Sequence, residues 1–330
     1  MNPQHDSVSN HEAPNPGSHL LKFLGVFGLV WLVLVGAWSS FPELKPGHQQ
    51  VLEDKLSWLK SESLFSKDTA VRMVIFGSSK VLAGFVPETF DQLSSGRVES
   101  VNFGLPDNAR YVVSNLERML AQKKIPTHVV LTQCLRSAAR PESDQASDDL
   151  IIESLFPFRR LARNLIEFSV RSWSAGGVGH FLDESRRQIA ALRRYRGYHF
   201  IADQSIYPSH QLPDSFRSIK DQPGQQGARD CSATDPEFLK LSAMQRQFGF
   251  RVIFVPVPTR QNRLAEAPET PKLTSVFSGS LARVLGPDYW RFPNRYFSDP
   301  AHLNPAGASL YTHRLWALLE PELLGNLNAK

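Results

Sequence analysis

The sequence predicts an α/β protein with a parallel sheet that is covered by helices on both faces. Short apolar runs rich in valine, isoleucine and phenylalanine alternate with segments of helical hydrophobic spacing, which implies crossover connections between parallel strands. The 330 residues are 42% apolar and 21% charged, which allows a sizeable core and excludes a disordered, collagenous or coiled-coil protein. The 2 cysteines are too few for a disulfide scaffold, and the 10 histidines lack the spacing of metal ligands.

Strands and helices follow one another from position 72 onward. A strand is predicted where a short apolar run is bounded by turn residues, and a helix where apolar residues recur every three or four positions. The predicted strands are Arg72–Gly77, Val98–Phe103, Thr127–Thr132, Arg251–Pro256 and Tyr289–Phe292. The predicted helices are Pro87–Leu93, Ala109–Lys123, Asp235–Phe248, Lys272–Leu285 and Ala306–Leu319.

The alternation fails between about residues 137 and 234, which predicts a helical insertion. Within it, residues 159–196 hold nine arginines against Glu167, Asp183 and Glu184, an excess of six that exceeds the net charge of +5. This charge is typical either of a solvated helix face or of a surface that contacts anionic lipid or an anionic polymer. No nucleic-acid-binding motif accompanies it, so we expect no nucleic-acid partner.

An uncharged apolar run, Phe23–Phe41, follows a polar tail at residues 1–18. Nineteen helical residues span ~28 Å, close to the thickness of the bilayer core, so we expect residues 19–41 to form a single transmembrane anchor. A cleaved signal peptide and a buried core helix are the alternatives. The lysine count does not orient the run, because Lys22 precedes it and Lys45, Lys55 and Lys60 follow.

Two short motifs indicate nucleophilic catalysis. Gly77-Ser78-Ser79-Lys80 follows the first strand, and Asp299-Pro-Ala-His302-Leu-Asn304-Pro305 precedes the final helix. A serine hydroxyl needs a neighbouring base, and the base needs a partner that orients it. His302 can act as the base and Asp299 as its partner, while Asn304 and Pro305 are suited to cap and begin the helix that follows.

The order and placement of these motifs resemble the SGNH (GDSL-like) hydrolase superfamily. The segments FGSSKVLAGFVPETFD, VNFGLPDNARY and DPAHLNPAGA carry the resemblance, which covers roughly residues 72–135 and 235–320. It implies a flavodoxin-like three-layer α/β/α domain over residues 42–330. It also implies that Ser79 is the nucleophile, with His302 as base and Asp299 as its orienting acid, and that Ser78 takes the position of the family's Asp.

The resemblance also implies donors for an oxyanion hole. The backbone N–H of Ser79 is the first, and Gly104 and Asp107 are candidates after the second strand. After the third strand the segment LTQCLRS lacks the family's asparagine, so Gln133 or Arg136 would have to substitute. The triad is therefore predicted to be intact and the oxyanion hole to be nonstandard.

The resemblance is to the membrane-anchored, extracytoplasmic branch of the superfamily, whose proteins include those of exopolysaccharide O-acetylation and teichoic-acid D-alanylation. It implies a serine esterase or O-acyltransferase on the outer side of the inner (cytoplasmic) membrane, without a cofactor. The substrate would be an acylated glycan or acyl donor, and a membrane acyltransferase is a possible partner. The alternative is an inert SGNH-like module that binds glycan or lipid. Outside the cytoplasm, Cys134 and Cys231 could form one disulfide or remain two buried thiols.

Overall fold

The computed structural model describes residues 16–40, 47–60, 64–66, 69–106, 112–135, 158–174, 176–200, 205–218, 231–261 and 272–325. The helices are α1 (Pro16–Ser40), α2 (Gly47–Lys60), α3 (Ser79–Leu82), α4 (Pro87–Leu93), α5 (Val112–Ala121), α6 (Phe158–Ser174), α7 (Val178–Arg194), α8 (Pro236–Phe248), α9 (Lys272–Val276) and α10 (Pro305–Leu324). The strands are β1 (Val71–Gly77), β2 (Val98–Gly104), β3 (His128–Leu131), β4 (Arg251–Phe254), β5 (Val257–Arg260), β6 (Ala282–Val284) and β7 (Tyr289–Phe292).

The predicted parallel sheet is confirmed. Five parallel strands lie in the order β2-β1-β3-β4-β6, and four of them fall where the apolar runs place strands. In β1 the side chains alternate between two cores, with Val74 and Phe76 on one face and Met73 and Ile75 on the other. This alternation follows from the two-residue repeat of a strand, and it explains why the run reads as almost continuously apolar.

Helices cover both faces of this sheet. One core joins the sheet to α2, α5 and α8 through side chains such as Leu59, Leu116 and Leu241. The other core joins it to α4 and α10, where Phe90 packs edge-on against Trp316. The chain therefore forms an α/β arrangement in which the strand ends, rather than the sheet faces, are free to carry a site.

The fifth strand of the sheet differs from the one predicted. Helix α9 ends at Val276 rather than Leu285, because the chain turns through Gly279 at a φ of +78° and then re-enters the sheet as β6. Tyr289–Phe292 does form a strand, β7, but it pairs in parallel with β5 in a separate two-stranded sheet. The prediction of a helix over Lys272–Leu285 is thus wrong in its second half.

Helix α1 contains the uncharged run as far as Ser40 and exposes its described apolar side chains, including Phe23, Leu24 and Val26, while Phe41 lies outside the described residues. Within the ranges that the structure describes, no helix is both long and apolar enough to cross a membrane. Residues 1–15 of the predicted tail, and residues 137–157 and 219–230 of the predicted insertion, lie outside the described residues.

The insertion covers the free edge of the sheet at β2. The N–H of Asn102 in β2 donates to the carbonyl of Arg196 (3.0 Å), directly after α7. Gly197 follows with a φ of +92°, and any side chain there would collide with the carbonyl of Asn102. Lys55, from α2, is fully buried beside this contact and donates to the carbonyls of Asn102 (2.8 Å) and Gly104 (2.7 Å). Edge strands that are covered in this way cannot pair with another chain.

Replacement of Lys55 by alanine is expected to destabilise the fold by about 2–4 kcal/mol. The substitution leaves a cavity and removes the donor to two buried carbonyls. The measurement is urea unfolding of the purified full chain, followed by tryptophan fluorescence. Lys60→Ala, at an exposed position of the same helix, is the control and should change the free energy of unfolding by less than about 0.5 kcal/mol. Equal effects of the two substitutions would contradict the role of Lys55.

Candidate active site

The nucleophile turn begins where β1 ends at Gly77. Ser78 adopts an extended conformation and caps α3, with its hydroxyl accepting from the N–H of Lys80 (3.3 Å). Ser79 is therefore the first residue of α3, and its side chain is partly exposed at the carboxyl end of the sheet. The position of Ser79 directly after the first strand is the one predicted, whereas the short helix α3 was not predicted.

Two glycines allow α3 to lie unusually close to the strand ends. A Cβ at Gly77 would collide with the side chains of Val81 and Thr132, and a Cβ at Gly104 would collide with the backbone N of Leu82. These two positions are paired in the register of β1 and β2. Any larger residue at either position would push α3 away from the sheet and move Ser79 with it.

Asn102, which the sequence analysis did not single out, holds α3 in this position. Its buried Nδ2 donates to the carbonyls of Val81 (2.8 Å) and Phe85 (2.8 Å), and its Oδ1 accepts from the N–H of Gly104 (2.9 Å). The carbonyl of Val81 also accepts from the N–H groups of Gly84 and Phe85, so Asn102 adds a further donor there and bonds the carbonyl of Phe85 just past α3. A polar residue between the buried Val101 and Phe103 is the sequence signal that could have identified it.

The acid and the base lie on one tight loop ahead of α10. Phe297 and Leu303 pair across the loop, and the N–H of Ser298 donates to the carbonyl of His302 (2.9 Å). Asp299 Oδ1 accepts from the N–H groups of Ala301 (2.7 Å) and His302 (2.8 Å). The carboxylate therefore organises the loop that presents the histidine.

Ser79, His302 and Asp299 form one continuous hydrogen-bonded chain. His302 Nε2 lies 2.8 Å from Ser79 Oγ, and His302 Nδ1 lies 2.7 Å from Asp299 Oδ2. Burial acts to raise the pKa of Asp299, but the hydrogen bond from His302, its charge and the two backbone N–H groups outweigh it and lower the pKa below the ordinary value. Asp299 thus stays ionised and favours the tautomer that carries hydrogen on Nδ1, leaving Nε2 to accept the serine proton.

The catalytic loop is fixed by buried neighbours on both sides. Asn304 caps α10, with Oδ1 accepting from the N–H of Gly307 (2.9 Å) and Pro305 at the first helical position, as predicted. Its Nδ2 also donates to the carbonyls of His210 (2.9 Å) and Arg295 (2.8 Å), so the cap ties the loop to the insertion. On the other side, the buried Arg260 donates from Nε to the carbonyl of Pro300 (2.9 Å).

The predicted oxyanion donors have different surroundings. No acceptor for the N–H of Ser79 lies among the described residues, as expected for the first residue of a helix. The N–H of Gly104 is already bonded to Asn102, so its assignment as a free donor needs correction. Gln133 Nε2 is buried and finds no partner in the described part of the chain. Asp107 and Arg136 lie outside the described residues.

The position of Gln133 follows from the pairing of β1 with β3. Phe76 pairs with Leu131, and Thr132 then packs against Gly77, so Gln133 is the second residue past the end of β3, on the edge of the sheet that also carries Ser79. Cys134, the next residue, forms a disulfide with Cys231 in the insertion, across 97 positions of sequence. Of the two open alternatives for the cysteines, the structure therefore has the disulfide.

Comparison of this chain with models of known protein families, with curated proteins and with solved structures finds no match.

Replacing Asn304 by aspartate should lower the free energy of unfolding by about 1–3 kcal/mol. This loss should be at least as large as the loss caused by replacing Asn304 with alanine. Aspartate caps helices as well as asparagine does, but here it would bring a carboxylate oxygen against the carbonyls of His210 and Arg295. The measurement is the free energy of unfolding of the three proteins.

The control for Asn304 is Asp235→Asn, which exchanges the same two residue types at the cap of α8. The side chain of Asp235 accepts from the N–H of Glu237 (2.9 Å), a role that asparagine can fill. We expect a change below about 0.5 kcal/mol there. An Asn304→Asp protein as stable as the wild type would show that the two donated hydrogen bonds contribute nothing.

Proposed function

We propose that this protein is a serine esterase or O-acyltransferase that works through an acyl-enzyme. The observation that carries the proposal is the unbroken chain of hydrogen bonds from Ser79 through His302 to Asp299. Both distances lie in the range at which a base can take a proton from a nucleophile. Ser79 and His302 are separated by 223 positions of sequence. A chance arrangement of the three side chains is therefore an unsatisfactory explanation of these bonds.

In the proposed mechanism Ser79 Oγ attacks the carbonyl carbon of an ester or thioester while His302 Nε2 takes its proton. Asp299 stabilises the imidazolium that results. The tetrahedral intermediate collapses, the leaving oxygen or sulfur receives the proton from His302, and the acyl group remains on Ser79. Water or a sugar hydroxyl, deprotonated by His302, then releases the acyl group. No cofactor enters these steps.

The SGNH resemblance is part of this proposal. The strand order β2-β1-β3-β4 with a fifth parallel strand is that of flavodoxin-like sheets, and Ser79 follows β1 where the order of the strands reverses. The pair Asp299 and His302 precedes the last helix on the same side. These placements support membership of the superfamily, because sites in such sheets lie where the strand order reverses.

We further propose that the acyl group, most simply acetyl, belongs to a cell-envelope polysaccharide, and that residues 19–41 anchor the domain on the outer side of the inner (cytoplasmic) membrane. The uncharged run Phe23–Phe41 supports the anchor. The disulfide between Cys134 and Cys231 supports an oxidising compartment outside the cytoplasm. A membrane acyltransferase that supplies the acyl donor would be the natural partner of such a domain.

An inert SGNH-like module that binds glycan or lipid is the second candidate. It is favoured by Gly104, whose N–H is bonded to Asn102 and so is not free to stabilise an oxyanion. An oxyanion hole that lacks one donor is slower by a factor of about 10²–10³, which would leave a weak enzyme or none.

Ser79→Ala is expected to abolish labelling of the full chain by a fluorophosphonate probe and to lower turnover of an acetyl ester by about 10⁴–10⁶-fold. The reason is that the probe and the ester both require the serine oxygen as nucleophile. Ser78→Ala is the matched control, because it removes a neighbouring hydroxyl that caps α3 and leaves the oxygen of Ser79 in place. The Ser78→Ala protein should still be labelled by the probe. Labelling that persists in the Ser79→Ala protein, or that is absent from the wild type, would refute the proposed mechanism.

Gln133→Glu should lower the turnover of an acetyl ester by about 10²–10³-fold while the protein remains folded. The substitution keeps the size of the side chain but removes the unpaired Nε2 donor and brings negative charge towards the developing oxyanion. The measurement is kcat beside the thermal unfolding midpoint. Gln122→Glu, at an exposed position after α5, is the control. A kcat for Gln133→Glu within twofold of wild type would remove Gln133 from the oxyanion hole.

A further inference from the structure

Helices α6 and α7 form a hairpin whose outer face is apolar and is covered by none of the residues that the structure describes. Phe168 of α6 packs edge-on against Phe181 of α7, with ring centroids 5.3 Å apart. At 100° per residue, Ile166, Val170 and Trp173 lie within about 60° of one another on the side of α6 opposite Phe168. Their exposed fractions are 65%, 62% and 88%. We call these three residues the apolar stripe.

The apolar stripe continues around the tip of the hairpin. Gly176 and Gly177 form the turn between the helices, and Val178, the first residue of α7, is 51% exposed. An exposed tryptophan flanked by branched aliphatic residues is not a usual feature of a solvated helix face. The solvated-face alternative for this part of the insertion therefore does not account for α6.

The hairpin is also strongly basic. Residues 158–194 hold eight arginines against three acidic residues, and one of these arginines, Arg193, is paired with Asp54 of α2. Arg186 and Arg187 are well exposed, and each lies 3.6–3.8 Å from one acidic side chain on the same helix, a contact that contributes little in water. An apolar stripe beside an excess of arginine is the pattern of a helix that lies in the interface of an anionic membrane.

The hairpin is joined to the segment that follows α1. Arg193, at the end of α7, donates to Asp54 Oδ1 (2.9 Å) and Ser57 Oγ (2.8 Å) of α2. Seven Cα–Cα steps separate Ser40, the last residue of α1, from Gly47, the first of α2, so the two helix ends lie at most about 25 Å apart. If residues 19–41 form the anchor, the end of the hairpin at Arg193 is held within reach of the membrane surface.

We propose that the α6–α7 hairpin is a second membrane contact, in which the apolar stripe enters the interface of a bilayer and the arginines bind anionic headgroups. The inference rests on the proposed anchor and not on catalysis. A purely anionic glycan would use the arginines but not Ile166, Val170 and Trp173, and for this reason the bilayer is the occupant that the surface fits. Contact at both α1 and the hairpin would fix the orientation of the domain on the membrane.

The test places an environment-sensitive dye at the stripe of the full chain. Trp173→Cys is labelled with a maleimide dye, and the protein is incorporated into liposomes of phosphatidylcholine alone or with phosphatidylglycerol, each carrying a lipid-bound quencher. Leu281→Cys is the control, because Leu281 is 56% exposed and precedes β6, at the opposite edge of the sheet from the hairpin. We expect strong quenching at position 173 in anionic liposomes and little at position 281.

Charge variants sharpen the test. Arg186→Gln with Arg187→Gln should weaken the contact equilibrium about 25-fold, at about fivefold for each arginine near an anionic surface. Lys240→Gln with Arg246→Gln removes the same charge from α8, a helix that packs against the sheet. This pair of substitutions should leave the quenching at position 173 unchanged. Quenching at position 173 that equals quenching at position 281, or that ignores both lipid charge and the arginines, would overturn the proposal. A dye that is already shielded from water in the absence of lipid would also overturn the proposal, and would indicate that the stripe binds protein.

Flotation separates failure of the hairpin from failure of the anchor. A chain that floats with phosphatidylcholine alone has the anchor, whatever the dye reports. A chain that floats only with phosphatidylglycerol, and loses this ability on Arg186→Gln with Arg187→Gln, has the hairpin contact without the anchor. Ser79→Ala should leave every one of these results unchanged, because the nucleophile takes no part in the contact.

Discussion

The close approach of α3 to the ends of β1 and β2 is the constraint on which the rest of the site depends. Gly77 and Gly104 remove the side chains that would prevent it, and Asn102 supplies the donors that α3 needs. A buried carbonyl left without a donor costs about 1–3 kcal/mol, so the bond from Asn102 to the carbonyl of Phe85 favours this position of α3. Ser79 is the first residue of α3, so the position of α3 sets the position of its hydroxyl. His302 Nε2 lies within hydrogen-bonding distance of that hydroxyl.

The insertion takes part in this arrangement. Its residues Arg196 and Gly197 lie against the backbone of Asn102, the residue that holds α3. Its later part accepts a hydrogen bond from Asn304, beside the base, and its Cys231 is bonded to Cys134, beside Gln133. The insertion therefore contacts the surroundings of Ser79, of His302 and of β3, although Ser79, Asp299 and His302 all lie outside it.

Most of the sheet could be predicted because parallel strands buried on both faces have an unmistakable apolar pattern, as in β1 and β2. The triad could be predicted because its residue types occur at the strand and helix ends where such sheets carry sites. β6 could not, since its three residues have no pattern of their own and are strand only through their pairing with β4. Lys55 and the second role of Asn304 were equally hidden, because their partners are backbone carbonyls distant in sequence. Gly104 was misassigned because a motif does not reveal that an N–H already has an acceptor.

The nucleophile and its base are separated by 223 positions of sequence, and α10 reaches back to the chain beside α3 through Thr312, whose hydroxyl accepts from the N–H of Val86. During synthesis, the turn of Ser79 can fold with β1, β2 and β3 long before the loop of His302 exists. Contacts of such large sequence separation form late and slowly. The contact between Ser79 and His302 is therefore completed only after the segment ahead of α10 has been made, and α10 then closes the second core of the domain. A chain interrupted before position 302 carries Ser79 without His302, and so lacks the hydrogen bond on which the proposed mechanism rests.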